Sequence, residues 1–226
     1  MDSFNWEERS KKEWNDRANF WNARSQHMWD HGSRRDIIPL LSKHLNHRAS
    51  IVDVGCGDGY GTYKLKLLGH EVMGLDISEE MIKKAKTRLP DLAFQVADVN
   101  QLPLTNESVD AILCVNVLEW VEVPAKAVEE LHRVLRPDGI LCVGILGPTA
   151  GPRSSSYPKV FGEKTINNTM MPWEFFKLAK ELGFTLLDEL GVYKDGVKVE
   201  HHQNLPVDLK QALSFMWVFL LRKVGE

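Results

Sequence analysis

The stretch IVDVGCGDGYG, Ile51 to Gly61, decides the fold. Its apolar run, Ile51 to Val54, is interrupted by an acid at Asp53 and followed by alternating glycines at Gly55, Gly57 and Gly59. This is the pattern of a buried strand running into a tight turn that opens a helix. A residue without Cβ takes positive φ without strain and lets the backbone approach a ligand closely. Strand, glycine turn and helix N-terminus make a nucleotide-type cofactor site wherever further βα units follow.

Downstream, such units follow. Tyr60 to Leu68 reads as a helix with Leu65 and Leu68 inward, closed by Gly69, and His70 to Asp76 as a second strand. That strand ends in Asp76, about twenty residues past the first glycine, where ribose-binding carboxylates sit in dinucleotide folds. Ser78 is placed to cap a helix with Met81, Ile82 and Ala85 inward, ended by Leu89-Pro90. A third strand, Leu92 to Ala97, finishes on Asp98, and Asn100 to Ser108 is a polar crossover loop. Val109 to Val115 is a nearly continuous apolar strand of the kind covered on both faces, and it ends at Asn116. Pro124 to Leu135 has a helical apolar stripe, Arg136 to Gly139 is a turn, and Ile140 to Leu146 is a fifth strand. Strands alternating with helices predict a doubly wound α/β domain with ligands at the carboxyl ends of the strands.

Upstream, Trp6, Trp14, Trp21 and Trp29 fall within the first thirty residues. Trp14, Ala18 and Trp21, with Arg17 and Phe20 beside them, have the spacing of an amphipathic helix, which packs on the sheet, covers the cofactor, or does both. Ser33, with Asp36 three residues on, is placed to cap a second helix carrying Ile37, Ile38, Leu40, Leu41 and Leu45, with Pro39 in its first turn.

Beyond the fifth strand, Gly147 to Met171 breaks the pattern with dense Gly, Pro, Ser, Asn and Thr and with Tyr157, Val160, Phe161 and Ile166 as its anchors. A loop of this length in a compact domain reads as a lid. Pro172 opens a helix in which Trp173, Phe176, Leu178, Ala179 and Leu182 face inward, and Phe184 to Tyr193 is a strand. Glu200 to Gln203 falls in an irregular stretch, and Ser214 to Leu221 reads as a last, antiparallel strand. The chain is therefore expected to be one domain over 1–226. It divides into a helical cap at 1–48, a cofactor-binding core at 49–146, a lid-like insertion at 147–172, and a C-terminal helix and hairpin at 173–226.

Composition narrows the function. With 226 residues and 43% hydrophobic residues, there is enough apolar material for one well-filled domain. A formal net charge of −3 and a pI near 6.3 leave no basic footprint for nucleic acid or an anionic membrane. The polar N-terminus and the lack of any run near the roughly 18 apolar residues of a membrane span predict a cytoplasmic protein with no membrane span. Cys56, Cys114 and Cys142 are far apart, which fits reduced core thiols and neither a disulfide framework nor a metal site.

Asp53 separates the candidate cofactors. A pyrophosphate needs N–H groups and positive helix dipole with no carboxylate nearby, whereas a cationic amine or sulfonium gains from one. Tyr60 also occupies the place of the third glycine of the dinucleotide pattern, which disfavours a nicotinamide oxidoreductase. At this point DVGCGDG at Asp53 to Gly59, LDIS at Leu75 to Ser78, VADVNQLPL at Val96 to Leu104, VNVLEWVEVP at Val115 to Pro124 and LRPDGIL at Leu135 to Leu141 resemble successive motifs of the class I S-adenosylmethionine-dependent methyltransferases of small-molecule type. The likeness runs in order and spacing over about residues 33 to 225.

The resemblance implies a Rossmann-like seven-stranded sheet, mostly parallel, in the order 3-2-1-4-5-7-6 with the last strand antiparallel. It implies S-adenosylmethionine as cofactor and S-adenosylhomocysteine as product. Carried over by position, Gly55, Cys56, Gly57 and Gly59 pass close to the methionine portion, with Asp53 near its amino group. Asp76 takes both ribose hydroxyls, Ile77 and Met81 pack on adenine, Asp98 and Val99 meet its polar edge, and Asn116 lies beside the methionine carbons. Trp14, Arg17 and Trp21 resemble helix residues that cover the cofactor in some members.

Methyl transfer from a sulfonium is an in-line displacement, so it needs positioning in a dry pocket more than a protein nucleophile. If the acceptor must lose a proton, the candidate bases are His201, His202, Glu119 and Tyr157. Trp120 stands where many relatives carry histidine, and the strand end NVLEW lacks the Asn/Asp-Pro-Pro-Tyr box of enzymes acting on planar amino groups. The leading expectation is a methyltransferase acting on a small-molecule acceptor. The alternative is a catalytically silent regulatory protein that binds the same cofactor.

Overall fold

A computed structural model of the chain describes residues 4–45 and 48–225. Residues 1–3 and 46–47 of the expected 1–48 cap, and residue 226, lie outside the described residues. In chain order the elements are α1 (Trp6–Asp16), α2 (Ala18–Asp30), α3 (Ile37–Ser42), β1 (Ser50–Val54), α4 (Tyr60–Leu67), β2 (Glu71–Asp76), α5 (Glu79–Arg88), β3 (Ala93–Val96) and β4 (Val109–Val115). They continue with α6 (Pro124–Val134), β5 (Leu135–Leu146), α7 (Pro172–Glu181), β6 (Phe184–Tyr193), α8 (Val199–His202), α9 (Val207–Leu213) and β7 (Ser214–Lys223). Short 3-10 helices occupy Leu118–Trp120 and Gly151–Phe161.

The strands form one seven-stranded sheet in the order β3-β2-β1-β4-β5-β7-β6. β1 to β5 run parallel, while β7 pairs antiparallel with both β5 and β6. This is the doubly wound architecture expected from the alternating pattern. Side chains alternate across the pleat, so neighbouring residues of one strand serve different faces. Val52, Ile112, Leu141 and Val143 pack with α6 and α7, including Val128, Leu131, Phe175 and Ala179. Ile51, Ala111, Leu113 and Cys142 turn the other way, onto Ile37, Leu41, Leu65 and Trp29. Two apolar faces explain why β4 is buried along almost its whole length.

Several local expectations are corrected. The N-terminal segment is two helices that break at Arg17, rather than one helix through Trp14, Ala18 and Trp21. Ser33 does not cap α3: the N-cap is Asp36, and its side chain makes no capping bond. Arg136 to Gly139 do turn, with Asp138 at φ 62°, but as an excursion inside one long β5. Leu135 pairs with Val109 before it, and Ile140 pairs with Ala111 after it.

In the 147–172 insertion Tyr157, Val160 and Phe161 are exposed; the anchors are Ile166, Arg153 and Asn167, all buried. In α7 it is Phe175 that is buried, and Trp173 is exposed, because the helix presents Pro172, Phe175 and Ala179 to the sheet. The stretch expected to be irregular around Glu200 is helical as α8, and α9 follows it. Among the described residues, no helix is long and apolar enough to cross a membrane.

Candidate functional site

The site begins at the end of β1, where the chain turns through Gly55, Gly57 and Gly59 at φ 71°, 56° and 78°. The N–H groups of Gly55 and Cys56 donate to the Leu75 carbonyl at 2.7 and 3.0 Å, tying the turn to β2. At the end of β2 the Asp76 carboxylate takes the Gly57 N–H at 2.8 Å and the Ser78 N–H at 2.9 Å. Burial raises the Asp76 pKa, and these two N–H bonds pull it back down. A carboxylate offers about four acceptor positions, so capacity remains for a ligand's hydroxyls. Ser78 then caps α5, its hydroxyl accepting the Met81 N–H at 3.2 Å.

The three glycines do different work. A Cβ on Gly55 would stand 2.2 Å from Val117 Cγ2, and one on Gly59 would stand 2.5 Å from Phe94 Cζ. A Cβ on Gly57 meets nothing within 4 Å, so this glycine faces open space. Gly55→Ala is therefore expected to act on the fold, adding an overpacking cost of about 1–3 kcal/mol to the left-handed strain. Gly57→Ala carries the strain alone, about 1–2 kcal/mol, and projects its methyl where the ligand lies. Thermal denaturation beside ligand titration checks this: the melting temperature should fall further for Gly55→Ala. Ligand affinity should fall at least tenfold for Gly57→Ala.

That open space is a cavity of about 310 Å³ over the carboxyl ends of the strands. Of the residues expected at the site, Gly55, Cys56, Gly57, Asp76, Ile77 and Met81 line it, and so do Asp98, Val99, Asn116, Trp14 and Trp21. Asn116 sits at φ 58°, a left-handed conformation at the end of β4 that asparagine tolerates better than most residues. Cys56 is no nucleophile, because burial pushes its thiol well above the ordinary value.

Asp53, Gly59 and Arg17 stand outside the cavity wall. The Asp53 carboxylate points under the turn and accepts the Thr62 hydroxyl at 2.7 Å. Burial pushes its pKa up to about 7, against the Thr62 hydroxyl and Arg34, which pull it down. Gly59 packs on Phe94, and Arg17 is paired with Glu13 at the break between α1 and α2.

None of the candidate bases borders the cavity. Tyr157 is exposed on the insertion, His202 stacks on Tyr193, and His201 accepts the Lys198 N–H at 3.1 Å; none of the three borders the cavity. Glu119 is fully buried and is not part of the cavity wall.

Other residues of the site lacked a local signal. Arg34 borders the cavity, and its guanidinium has no hydrogen-bond partner among the described residues; it lies 5.5 Å from the Trp29 ring. Burial lowers its pKa, opposed by Asp53, Asp58 and Glu119. Trp6, Trp120, Leu146, Pro152 and Phe215 also line the cavity. The helical cap is fastened across the site by polar contacts. Asn15 accepts the Ser78 hydroxyl at 2.7 Å, Ser25 donates to Asp58 at 2.5 Å, and Asp30 holds Tyr60 at 2.7 Å and Lys64 at 2.8 Å.

A methyltransferase domain model matches residues 52–143, the segment from β1 to β5 that carries this site. The chain is 30% identical over 158 residues to a probable S-adenosylmethionine-dependent methyltransferase of Mycolicibacterium smegmatis, covering 68% of this chain and 60% of that protein. Over residues 52–143 the chain carries a methyltransferase domain, similar to those of the S-adenosylmethionine-dependent methyltransferases.

A second match, 30% identical over 183 residues, is an uncharacterized 37.1 kDa protein in a transposon of Streptomyces fradiae; it covers 73% of this chain and 52% of that one. The chain thus spans 52–60% of the length of these two relatives. Among solved structures, the complex of the Haloferax volcanii Trm112 methyltransferase activator with a methyltransferase gives a TM-score of 0.67 at 18% identity. That match covers 95% of this chain and 98% of the other, a likeness of fold. S-adenosylmethionine is the methyl donor of this family.

The insertion is pinned behind the site by two buried residues, Glu119 and Arg153, each bonded to backbone. Glu119 accepts the Leu146 N–H at 2.5 Å. Arg153 donates to the carbonyls of Leu146 at 2.5 Å, Gly147 at 2.9 Å and Met170 at 2.7 Å. Burial raises the Glu119 pKa and lowers that of Arg153, and each charge partly offsets the other's shift. Asn168 adds a second pin, donating to the carbonyls of Leu118 at 2.6 Å and Val121 at 2.8 Å.

Proposed function

We propose that the chain transfers a methyl group from S-adenosylmethionine to a small-molecule acceptor. When bound, the donor supplies an electrophilic methyl on a sulfonium. The observation that carries the reading is the cavity at the ends of β1 to β4, with Gly57 open toward it and Asp76 keeping free acceptor positions.

In this reading Asp76 accepts the ribose hydroxyls, Ile77 and Met81 pack on the adenine, and Asp98 with the Val99 N–H reads its polar edge. Arg34, a cation without a partner at the cavity, takes the donor's carboxylate. Asp53 acts on the amino group through the field beneath the turn rather than by contact. Asn116 sits beside the methionine chain. The cap helices exclude water, so that the acceptor is held against the methyl at near-attack distance.

Isothermal calorimetry with S-adenosylhomocysteine tests the donor site. Saturable 1:1 binding is expected, weakened at least tenfold by Arg34→Met. An absence of binding to the unaltered protein would defeat the proposal.

A further inference from the structure

The residues proposed to hold the donor lie over β3, β2, β1 and β4, so the acceptor is left the part of the cavity beyond β4, over β5 and β7. There the wall is built from Trp6, Trp14, Trp120, Leu146, Pro152 and Phe215. Five of these six also meet in one apolar cluster: Trp120 and Leu146 belong to it, with Trp6, Trp14 and Phe215 packed against it. None carries an ionisable group. Glu119 and Arg153 lie behind this wall and grip the Leu146 backbone rather than border the cavity. Glu7 and Glu122 do border it and are solvent-exposed, Glu7 being paired with Lys11 at 2.7 Å. Arg34, the cation at the cavity, is assigned to the donor's carboxylate.

Resting on the methyltransferase reading, we infer that the acceptor is a small uncharged aromatic molecule methylated at a weakly basic ring nitrogen. A carboxylate or phosphate is disfavoured because the acceptor wall offers no cation to offset its desolvation. A hydroxyl is disfavoured because it must lose a proton to react, and a solvent-exposed carboxylate is too weak a base to take it. An aliphatic amine is protonated at neutral pH and has no free lone pair. An aromatic ring nitrogen has one, and its flat ring suits indole and phenyl walls.

The transfer then balances without a protein base. The nitrogen lone pair forms the N–C bond, the C–S bond breaks, and its electron pair returns to sulfur as the neutral thioether. With a pyridine-type nitrogen no proton leaves, and the positive charge passes from sulfur to the methylated ring. That charge develops against the faces of Trp14, Trp120, Trp6 and Phe215, where cation–π attraction favours it.

The test uses quinoline, quinoline-4-carboxylate and 1-naphthol as probes. Calorimetry on the protein saturated with S-adenosylhomocysteine should show quinoline binding at least tenfold more tightly than its carboxylate. With S-adenosylmethionine, mass spectrometry should show N-methylquinolinium forming at least tenfold faster than methylated naphthol, with a pH profile set by the ring nitrogen's own titration. Phe215→Lys, which places a cation in the wall, should reverse the preference between quinoline and its carboxylate. Equal binding of the carboxylate, faster methylation of naphthol, or binding of none of the three to the loaded protein overturns this inference and leaves the donor reading intact. Failure of S-adenosylhomocysteine itself to bind overturns both.

Discussion

Replacing Asp76 by alanine is expected to weaken S-adenosylhomocysteine binding by more than about 100-fold while leaving the fold nearly as stable as before. Two effects add. The ribose loses an acceptor for both hydroxyls, and hydrogen bonds to a charged group are worth about 1.5–3 kcal/mol each. The glycine turn also loses its brace, since Asp76 holds the Gly57 and Ser78 N–H groups. The fold suffers less because the buried carboxylate is itself a cost without ligand, which is why burial raises its pKa. Asp76→Asn, with one acceptor oxygen, should fall between. Calorimetry and thermal denaturation of both variants decide the matter; wild-type affinity in Asp76→Ala would remove this residue from the donor site.

Arg153→Met should produce the second large effect, this time on stability. It removes a donor from three carbonyls, those of Leu146, Gly147 and Met170, and a positive charge whose field lowers the pKa of the buried Glu119. Hydrogen bonds from a charged donor are worth about 1.5–3 kcal/mol each, so losing three should cost at least about 4 kcal/mol. At roughly 2–4 °C per kcal/mol for a chain of this size, the melting temperature should drop by about 10 °C. Hydrogen exchange should locate the damage in residues 147–171, with β1 to β4 still protected. Arg153→Lys should not rescue it, because a single ammonium cannot reproduce the guanidinium fork across three carbonyls. An unchanged melting temperature would show that Arg153 does not hold the insertion.

Much of the fold could be read from local pattern. The glycine turn, the acids ending β2 and β3, and the apolar runs of β1, β4 and β7 each declare themselves within about ten residues, and their order fixes the sheet. The cavity wall over β1 to β3 was legible for the same reason: Gly57, Asp76, Ile77 and Asp98 sit at strand ends that sequence can number. What escaped depends on distant contacts. Phe175 and Trp173 are equally apolar and two residues apart, and only the position of the sheet decides which is buried. Arg34 and Arg153 look like ordinary surface arginines until the tertiary fold turns one toward the cavity and the other onto three carbonyls. Asp53 stands outside the cavity wall because successive residues of a strand face opposite sides, and its carboxylate meets Thr62 of α4.

The placing of the tryptophans has a consequence for measurement. Of the seven in the chain, Trp6, Trp14, Trp21 and Trp120 line the cavity, while Trp29 packs on Gly61, Trp173 is exposed and Trp217 donates to Glu189 at 2.9 Å. Indole emission responds to the polarity and charge within a few ångströms, so four of the seven emitters of this protein stand at the cavity. The molecule carries its own optical reporter, and occupancy can be followed in the ultraviolet without a label.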